Sequence, residues 1–532
     1  MRMHRFWRQK RLLSSARFDP ERPPSSRRSG GRDAEPLDTS LEANRKRFEH
    51  VFHDCSDVVF RDVEPIPGAR GLLLYTEGIV ETKDINDHLL HPLMHLFRTK
   101  DGAELDLASL ELSWLSVPQM KKVRTVEDAA FEVLNASVVF LLDGSAHALS
   151  MNLRGGTRRG VEESTTETVV RGPKEGFTES LRVNTALVRF KIKTPDLKTV
   201  SMTKGVRTQT AVVVSYIEGL ADPAVVEEAI RRIDAIDIDG VLESGYIEEL
   251  IEDNPYSPFP QLQYTERPDT VAAQLLEGRV AIFVDGTPFV LVAPTTLWQM
   301  LQASEDYYER YFIANLIRWL RYIFVFVALY LPALYIAVTT FHQDMLPSTL
   351  ILSIAAAREA IPFPAIIEVL IMELSFETLR EAGIRLPKTI GQAVSILGAL
   401  VVGQAAVEAG IVSAPIVIVV SATGIASFAI PRFNLAITIR LLRFPMIVLA
   451  AGFGLFGLII GSVWLLAHLT RLRSFGVPYL SGITPYRRDE MKDILVRAPW
   501  WRMALRPLSI GGRDRRRLGR NMQRKTEPKE SW

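Results

Sequence analysis

The sequence predicts a cytosolic α/β region of two similar lobes, followed by an all-α polytopic transmembrane domain. Two observations support this fold class. The stretch 322–469 is mostly apolar and contains long segments without charge, unlike anything before it. The stretch from about residue 41 to residue 308 mixes short β-branched runs with amphipathic patterns and turns, which is typical of α/β lobes. Five units follow from these changes in composition: 1–44, 45–170, 171–310, 311–475 and 476–532.

The two chain ends are basic. Residues 1–44 are expected to be a disordered basic arm, because residues 1–32 carry ten Lys or Arg against two acids. No apolar stretch of signal-peptide length follows these arginines, so the N-terminal region is expected to stay in the cytosol. Residues 476–532 are expected to be a cytosolic basic tail, disordered beyond Ser509. Basic tails beside membranes attract anionic headgroups, so membrane lipids are expected partners and nucleic acid is not.

The two lobes are predicted from a repeat. Three pairs of passages match: LLLYTEG (72–78) with VVVSYIEG (212–219), VVFLLDG (138–144) with VAIFVDG (280–286), and DAAFEVL (128–134) with TVAAQLL (270–276). The glycines that end the two strand pairs are 141 and 142 residues apart. Because the offsets of the three matches agree within one residue, a duplication is favoured over chance resemblance.

The stretch 152–204 is expected to lie between the repeats. It contains RGGTRRG, which lacks the GxxxxGK[ST] spacing of a phosphate-binding loop, so an exposed basic hairpin is favoured there. Further on, Arg171, Gly172 and Pro173 have the composition of a tight turn.

No enzyme or cofactor site is expected. The sequence has no HExxH or GxSxG motif, and Cys55 is its single cysteine, which excludes an intramolecular disulfide. His88, His91 and His95 fall at i, i+3 and i+7 of a predicted helix over 86–97 and could offer nitrogen ligands. A polar helix face is favoured over a metal site.

The apolar block contains four predicted membrane segments. The stretch 322–341 has 20 residues without an ionisable group, enough to cross a hydrocarbon core of about 30 Å. The stretches 390–407, 411–430 and 444–469 have the same character, with frequent small residues that allow close helix contact.

The stretch 346–381 is different, because it carries charges and is interrupted by Pro362 and Pro364. The predicted polar lining of the membrane domain is Arg358, Glu359, Glu368, Glu373 and Glu377. These groups disfavour a lipid-facing helix, so a broken or re-entrant segment is predicted. The alternative is an interfacial helix with solvated acids.

The charges of the loops do not assign all of them consistently to one or the other side of the membrane. Arg318 and Arg321, among aromatic residues, mark the cytoplasmic end of the first span. Either 346–376 is re-entrant, which gives four crossings, or it crosses, which gives five. Four are favoured because the tail is basic, and Arg440 and Arg443 then belong to the polar lining.

Several longer motifs resemble a known family. They are VRGPKEGFTESLRVNTALVR, SPFPQ, TERPD, GRVAIFVDGTPFVLVAP, EDYYERYF, RWLRY, REAIPFPAIIEVLIMELSFETLREAGIRLP, IGQAVSILGALVVGQAAVEAGIVS and SFGVPYLS. Over about residues 45–508 the chain resembles the A subunits of bacterial spore germinant receptors, the GerA family. Leu480-Ser481-Gly482 departs from the proline expected nearby.

The resemblance implies a multi-pass protein of the spore inner membrane whose N-terminal region faces the spore core. It implies a transporter-like B subunit, which senses the nutrient, and a lipoprotein C subunit as partners. It also implies a homo-oligomer, expected to be a pentamer, that forms a ligand-gated cation channel. In such an oligomer a ring of carboxylates centred on Glu373 would attract cations. Three alternatives remain: a relative that acts beside the spore's dipicolinic acid channel, a non-conducting scaffold, and a secondary transporter.

Overall fold

The chain folds into two α/β lobes, a helical bundle and an ordered tail, which confirms the predicted fold class. A computed structural model describes residues 35–66, 68–93, 119–153, 155, 163–164, 166–385, 403–488, 490–512 and 514–518. Residues 1–34 of the predicted basic arm 1–44, most of the RGGTRRG passage, His95 and most of the predicted segment 390–407 lie outside these residues. The last part of the arm is not disordered as predicted, because Ser40 caps a helix that begins at Leu41.

The first lobe is a five-stranded antiparallel sheet with helices on both faces. Its elements are α1 (Leu41–Val51), β1 (Val58–Ile66), β2 (Ala69–Thr76), α2 (Thr82–Ile85), β3 (Met120–Val123), α3 (Val126–Leu134), β4 (Ser137–Leu142) and β5 (Ala148–Asn152). The strands lie in the order β1-β2-β4-β5-β3. Strand β4 is buried along its whole length, because α1 and α3 cover one face of the sheet and the turn after α2 covers the other.

The second lobe repeats this design. Its elements are α4 (Leu181–Lys191), β6 (Leu197–Lys204), β7 (Thr210–Ile217), α5 (Pro223–Asp234), α6 (Ser244–Ile251), β8 (Gln263–Thr265), α7 (Pro268–Leu276), β9 (Val280–Val284) and β10 (Val290–Ala293). The strands lie in the order β6-β7-β9-β10-β8, the same as in the first lobe. Helices α4 and α7 cover one face, and α5 and α6 cover the other.

The repeat confirms the predicted similarity of the lobes and extends it. Gly78 and Gly219, which end the first matching strands, both have φ of 80°, a conformation that glycine adopts without strain. The stretch 152–204 is only partly a connection: α4 and β6 lie inside it and are the counterparts of α1 and β1. Their polar and basic residues obscured this in the sequence.

The two lobes are joined by paired polar groups. The guanidinium of Arg189 is fully buried and donates two hydrogen bonds of 2.8 Å to the carboxylate of Asp57. The backbone nitrogen of Ser56 donates to Thr199 at 3.0 Å, and the nitrogen of Thr199 donates to Asp54 at 2.7 Å. These contacts hold the lobes against each other.

Two short helices, α8 (Leu297–Met300) and α9 (Glu305–Tyr308), lead from the second lobe into the bundle. The bundle helices are α10 (Tyr311–Phe341), α11 (Ser348–Arg358), α12 (Ala365–Arg385), α13 (Ala414–Phe428) and α14 (Phe433–Arg471). By length and composition, α10 is long and apolar enough to cross a membrane, and so is α14 when its whole length is taken as one helix. Helix α10 begins before the predicted span 322–341, because its first turns pack against the tail rather than lie free at an interface.

Helix α14 is two antiparallel arms, 433–453 and 455–471. Gly454 between them has φ of 62° and ψ of −141°, which is not helical. A Cβ built at Gly457 would lie 2.1 Å from the carbonyl oxygen of Leu449, whereas residues eight apart in a straight helix are separated by about 12 Å. The chain therefore reverses at Gly454.

Both arms of α14 return to the second lobe. At the start of the first arm, Arg432 pairs with Glu167, which also accepts from Thr265 of the second lobe at 2.8 Å. Near the end of the second arm His468 hydrogen-bonds Ser257 at 2.8 Å. Gly454 lies instead beside Phe341, at the end of α10 that points away from the lobes. We call these the lobe end and the far end of the bundle. The predicted single span 444–469 is wrong, since it includes the reversal.

The charged segment 346–381 is broken between α11 and α12, as its prolines predict, but it does not turn back. It starts at the far end, just after α10. Further along, Arg380 of α12 hydrogen-bonds Ser427 at 2.9 Å, and Ser427 lies close to Arg432 at the lobe end. The described part of the segment therefore runs the length of the bundle, unlike the re-entrant segment that the loop charges suggested.

The tail packs against the second lobe and α10. Strands β11 (Arg473–Ser474) and β12 (Val477–Pro478) form a small hairpin, and Tyr479 after it is fully buried. Residues 510–512 and 514–518 are ordered as well: Gly512 donates a backbone hydrogen bond to Leu220. The tail was expected to be disordered there, because its arginines suggested solvation rather than pairing.

Candidate functional site

Charged side chains from three elements meet inside the bundle. The cluster, called the bundle cluster here, consists of Arg358 on α11, Glu368, Glu373, Glu377 and Arg380 on α12, and Arg440 and Arg443 on α14. It includes four of the five residues predicted as a polar lining. The fifth, Glu359, is exposed at the C-terminus of α11.

Glu373 and Arg443 form the innermost pair. Both side chains are at most 1% exposed, and a guanidinium nitrogen of Arg443 lies 2.5 Å from Oε2 of Glu373. Nε of Arg443 also donates to the backbone carbonyl of Ala328 on α10, at 2.8 Å. Glu373 Oε1 and Arg443 Nη2 have no partner within the described residues. The pair therefore ties α10, α12 and α14 together while leaving one hydrogen-bonding atom on each side chain unsatisfied.

Glu368 holds the break between α11 and α12. Its Oε1 accepts from Nε of Arg358 at 3.2 Å, and its Oε2 accepts from the backbone nitrogen of Ser413 at 2.9 Å. Ser413 immediately precedes α13. The fully buried carboxylate thus fastens the end of α11 and the start of α13 to α12.

Glu377 and Arg380 lie nearer the lobe end. Glu377 Oε2 accepts from Arg440 at 2.9 Å and is partly exposed. Arg380 lies over the ring of Phe428, 4.4 Å from its centre, which is a cation–π contact. Glu373 and Glu377 therefore share a face of α12, as their spacing predicts, and each is paired with an arginine of the same arm of α14.

The predicted ring of carboxylates requires accessible side chains, but Glu373 and Glu368 are buried. Within one chain both side chains point inward to arginines, so neither presents a free carboxylate at the described surface. Partly exposed Glu377 and Arg358 and exposed Glu359 remain accessible. Buried pairs of this kind are costly to break from one side, because the remaining charge has no partner in a medium of low dielectric constant.

The predicted Arg171-Gly172-Pro173 turn lies where the second lobe meets the bundle. Gly172 has φ of 141° and packs on the ring of Tyr308, so closely that a Cβ would lie 2.8 Å from ring atoms. The carbonyl of Pro173 accepts from Arg267 at 2.9 Å, and Arg171 faces Glu309 at 3.7 Å. Close contact with the residues that precede α10 explains why this turn contains glycine.

A second buried network, the junction network, surrounds the start of α10. Its members are Asp306, Tyr307, Arg318, Arg321 and Asp493. Arg321 donates to both carboxylate oxygens of Asp306, at 2.9 and 3.1 Å. Arg318 is fully buried and reaches Asp306 at 3.4 Å and Asp493 of the tail at 3.2 Å. Burial raises the pKa of Asp493, and Arg318 opposes that rise.

Sequence reasoning placed Arg318 and Arg321 at a membrane interface and missed the junction network. The sequence did contain a signal: acids and tyrosines in EDYYERYF precede two arginines three residues apart, which share one helix face. The tail partner, Asp493, is too distant in sequence to be inferred.

The histidines and acidic residues that the structure describes do not form a metal site. No three His, Cys, Asp or Glu side chains there are placed to hold a metal ion. His88 lies in a π-helical turn, Asn86–Leu90, next to His91. Within the described residues 86–93, this turn interrupts the regular helix that was predicted over 86–97.

Comparison with known proteins gives a consistent result. The sequence pattern of "Bacillus/Clostridium GerA spore germination protein" matches residues 46–509. The chain is 58% identical to "Uncharacterized membrane protein YfkQ" of Bacillus subtilis (strain 168), over 93% of this chain and 95% of that protein. It is 43% identical to "Spore germination protein KA" of the same organism, over 92% and 90%.

A solved structure is also similar. It is the crystal structure of the N-terminal domain of the A subunit of the Bacillus megaterium spore germinant receptor GerK3. That chain is 35% identical, with a TM-score of 0.39, and the match covers 49% of this chain and 98% of that one.

Proposed function

The chain belongs to the GerA family of spore germination proteins, and we propose from this that it is the A subunit of a spore germinant receptor. The observation that supports the proposal best is the match over residues 46–509, which includes both lobes, the bundle and most of the tail. The relatives named as spore germination proteins match over similar lengths of chain. The proposed functional units are lobes 45–170 and 171–310, membrane part 311–475 and tail 476–532.

We propose that the bundle crosses the spore inner membrane and that lobes and tail lie in the cytosol. Helix α10 and the arms of α14 are apolar, and both ends of α14 contact the second lobe. With the α11–α12 segment they make four passes, and α13 lies beside α12 between Ser413 and Ser427. Single cysteines in a Cys55→Ser background test this: positions 40 and 508 should react only from the inside and position 344 only from the outside. Labelling of position 508 from the outside would overturn the topology.

The channel is a finer proposal. We propose that several copies form a cation-conducting pore, for which a pentamer is expected, and that the α11–α12 segment supplies its polar lining. Helix α11 has no buried side chain in the single chain, which leaves it available to neighbouring copies or lipid. Glu377, Arg358 and Glu359 are the lining residues that stay accessible. Glu373 and Glu368 then position α12 from inside each subunit.

The proposed partners are a transporter-like B subunit and a lipoprotein C subunit, with the B subunit sensing the nutrient. Genes for such subunits in the same operon would support a receptor. Spores that lack this chain should lose the response to at least one nutrient mixture and regain it on complementation. Normal responses to every nutrient, with slowed dipicolinic acid release, would instead favour the relative that acts beside the dipicolinic acid channel.

A further inference from the structure

The surface by which the first lobe contacts the second is formed by the turn after β2 and the end of α3. Ile79 and Ala136 pack there against Ala186 of α4 in the second lobe. Beside this contact, Nζ of Lys193 donates to Oδ1 of Asn135 at 2.8 Å. The first lobe thus receives a small side chain and a cation.

The corresponding surface of the second lobe is covered by the tail. By the repeat offsets of 141 and 142, Ile79, Asn135 and Ala136 correspond to Leu220, Glu277 and Gly278. The backbone nitrogen of Gly512 donates to the carbonyl of Leu220 at 2.5 Å. A Cβ built at Gly278 would lie 3.0 Å from Cα of Gly511.

The contact with a cationic side chain also recurs at the equivalent position of the second lobe. Nη2 of Arg517 donates to Oε2 of Glu277 at 2.7 Å, as Lys193 donates to the equivalent Asn135. Both lobes end the preceding helix with a residue at positive φ, 69° at Ala136 and 95° at Gly278. The equivalent surface of each lobe therefore contacts a small residue and a cationic side chain. In the first lobe they come from α4 and the residues after it, and in the second lobe from the extended tail.

The first lobe of a second copy of the chain could not occupy this surface as α4 occupies that of the first lobe. The face of α1 that corresponds to the docked face of α4 carries exposed Glu42, Lys46 and His50, where α4 has Arg182, Ala186 and Phe190. Terminal units of repeat proteins need a cover for the surface that the next unit would occupy. The tail supplies that cover.

The same tail also holds the first bundle helix. Asn315 of α10 and Arg497 of the tail exchange hydrogen bonds of 3.1 and 2.6 Å, and Trp319 donates to the carbonyl of Leu495 at 2.8 Å. Between these contacts and Gly512 the tail passes from the bundle to the outer turn of the second lobe. It is therefore a direct mechanical link between the two.

We propose that Leu220, Ala221, Glu277 and Gly278 form a docking surface for the chain's own tail, residues 510–512 and 514–517. Docking closes the two-lobe array and couples the second lobe to α10. The part of the proposal that concerns docking depends only on the structure. The part that concerns coupling rests on the proposed role in germination.

Docking can be measured by cysteine reactivity in the full chain in membrane vesicles, in a Cys55→Ser background. Ile510 is 4% exposed, so a cysteine at that position should react slowly with a maleimide. Gly512→Val places a Cβ 2.7 Å from the carbonyl oxygen of Ala221 and should release the tail, which raises the labelling rate about tenfold. Leu508 is 45% exposed, so a cysteine at position 508 is the control that should react quickly with and without Gly512→Val.

Equal labelling rates at position 510 with and without Gly512→Val would overturn the docking surface. Arg517→Gln should raise the rate less than Gly512→Val, and Arg517→Lys should leave it near the original value. A rate unchanged by Arg517→Gln would show that the cation contact has no part in docking.

Coupling is measured in spores. Gly512→Val and Arg517→Gln spores should respond to nutrient more slowly at unchanged protein level, and Arg517→Lys spores normally. If the tail is released but these spores respond normally, docking stands and coupling is wrong. If spores lacking the whole chain also respond normally, the proposed function itself fails.

Discussion

The bundle cluster and the junction network both bury charge, but they satisfy it differently. In the bundle, Glu373 meets Arg443 through one oxygen, and its other oxygen has no partner within the described residues. At the junction, Asp306 receives both Arg318 and Arg321, although Nε of Arg318 also has no partner within the described residues. A network with several partners fixes one arrangement, whereas an incompletely satisfied pair is held less firmly. We infer that the junction holds the molecule together and that the bundle pair lies where the structure can change.

The largest effect is expected at the junction. Arg318→Gln leaves Asp493 without its cation and weakens the pairing of Asp306, so it should destabilise the protein by about 3–5 kcal/mol. Immunoblots of spore membranes should show a much lower level of this variant. Arg473→Gln is the matched control, because Arg473 is exposed and makes one backbone contact, of 3.3 Å. A normal level of the Arg318→Gln protein would show that the junction does not hold the fold.

A smaller effect on stability and a larger one on function are expected in the bundle. Glu373→Gln should slow monovalent cation release from spores. It leaves the buried guanidinium of Arg443 without a counter-charge, which lowers the protein level, but the amide oxygen still accepts from Arg443, so the protein is retained. Glu368→Gln should slow release less, since the amide oxygen can keep the bond to the backbone of Ser413. Cation release and protein level are measured together. Normal release from a stable Glu373→Gln protein would remove Glu373 from the mechanism.

The smallest effect concerns Glu248, a carboxylate without an arginine partner among the described residues. Burial raises its pKa to about 8, and the nearby carboxylates Glu252 and Glu243 add to the rise. The folded protein then binds a proton that the unfolded chain has lost above about pH 4.3, so stability falls as pH rises from about 5 to 8. The melting temperature of the detergent-solubilised chain should therefore fall between about pH 5 and 8. In Glu248→Gln this fall should be smaller by about 3 °C. An unchanged pH profile would show that Glu248 is ionised throughout.

The repeat was predictable because its signals are local. Each matching strand carries its own closing turn, such as the one at Gly78, and the same turn recurs at one offset. The helical break near Pro362 was predictable for the same reason, since proline disrupts helices wherever it occurs.

The reversal at Gly454 was not recognised, because the glycines in this passage are compatible with two different structures. The passage AAGFGLFGLIIG (450–461) has the small residues of a closely packed straight helix as well as those of a tight turn. The distance between Gly457 and Leu449 decides between them, and only the fold supplies it. Ion pairs such as Glu373 with Arg443 are likewise made by packing between distant elements and leave no local pattern.

The reversal at Gly454 also determines how the folded parts of the molecule are distributed between the two ends of the bundle. At the far end of the bundle the described chain consists of short turns, that at Gly454 and that at 342–347 before α11. Nearly all its folded mass outside the bundle lies at the other end. A solute arriving from the far side would meet a few turn residues and, within the described part of the chain, no pocket-bearing domain. Information from that side has to reach the lobes through the helices, or through another protein that covers the turns.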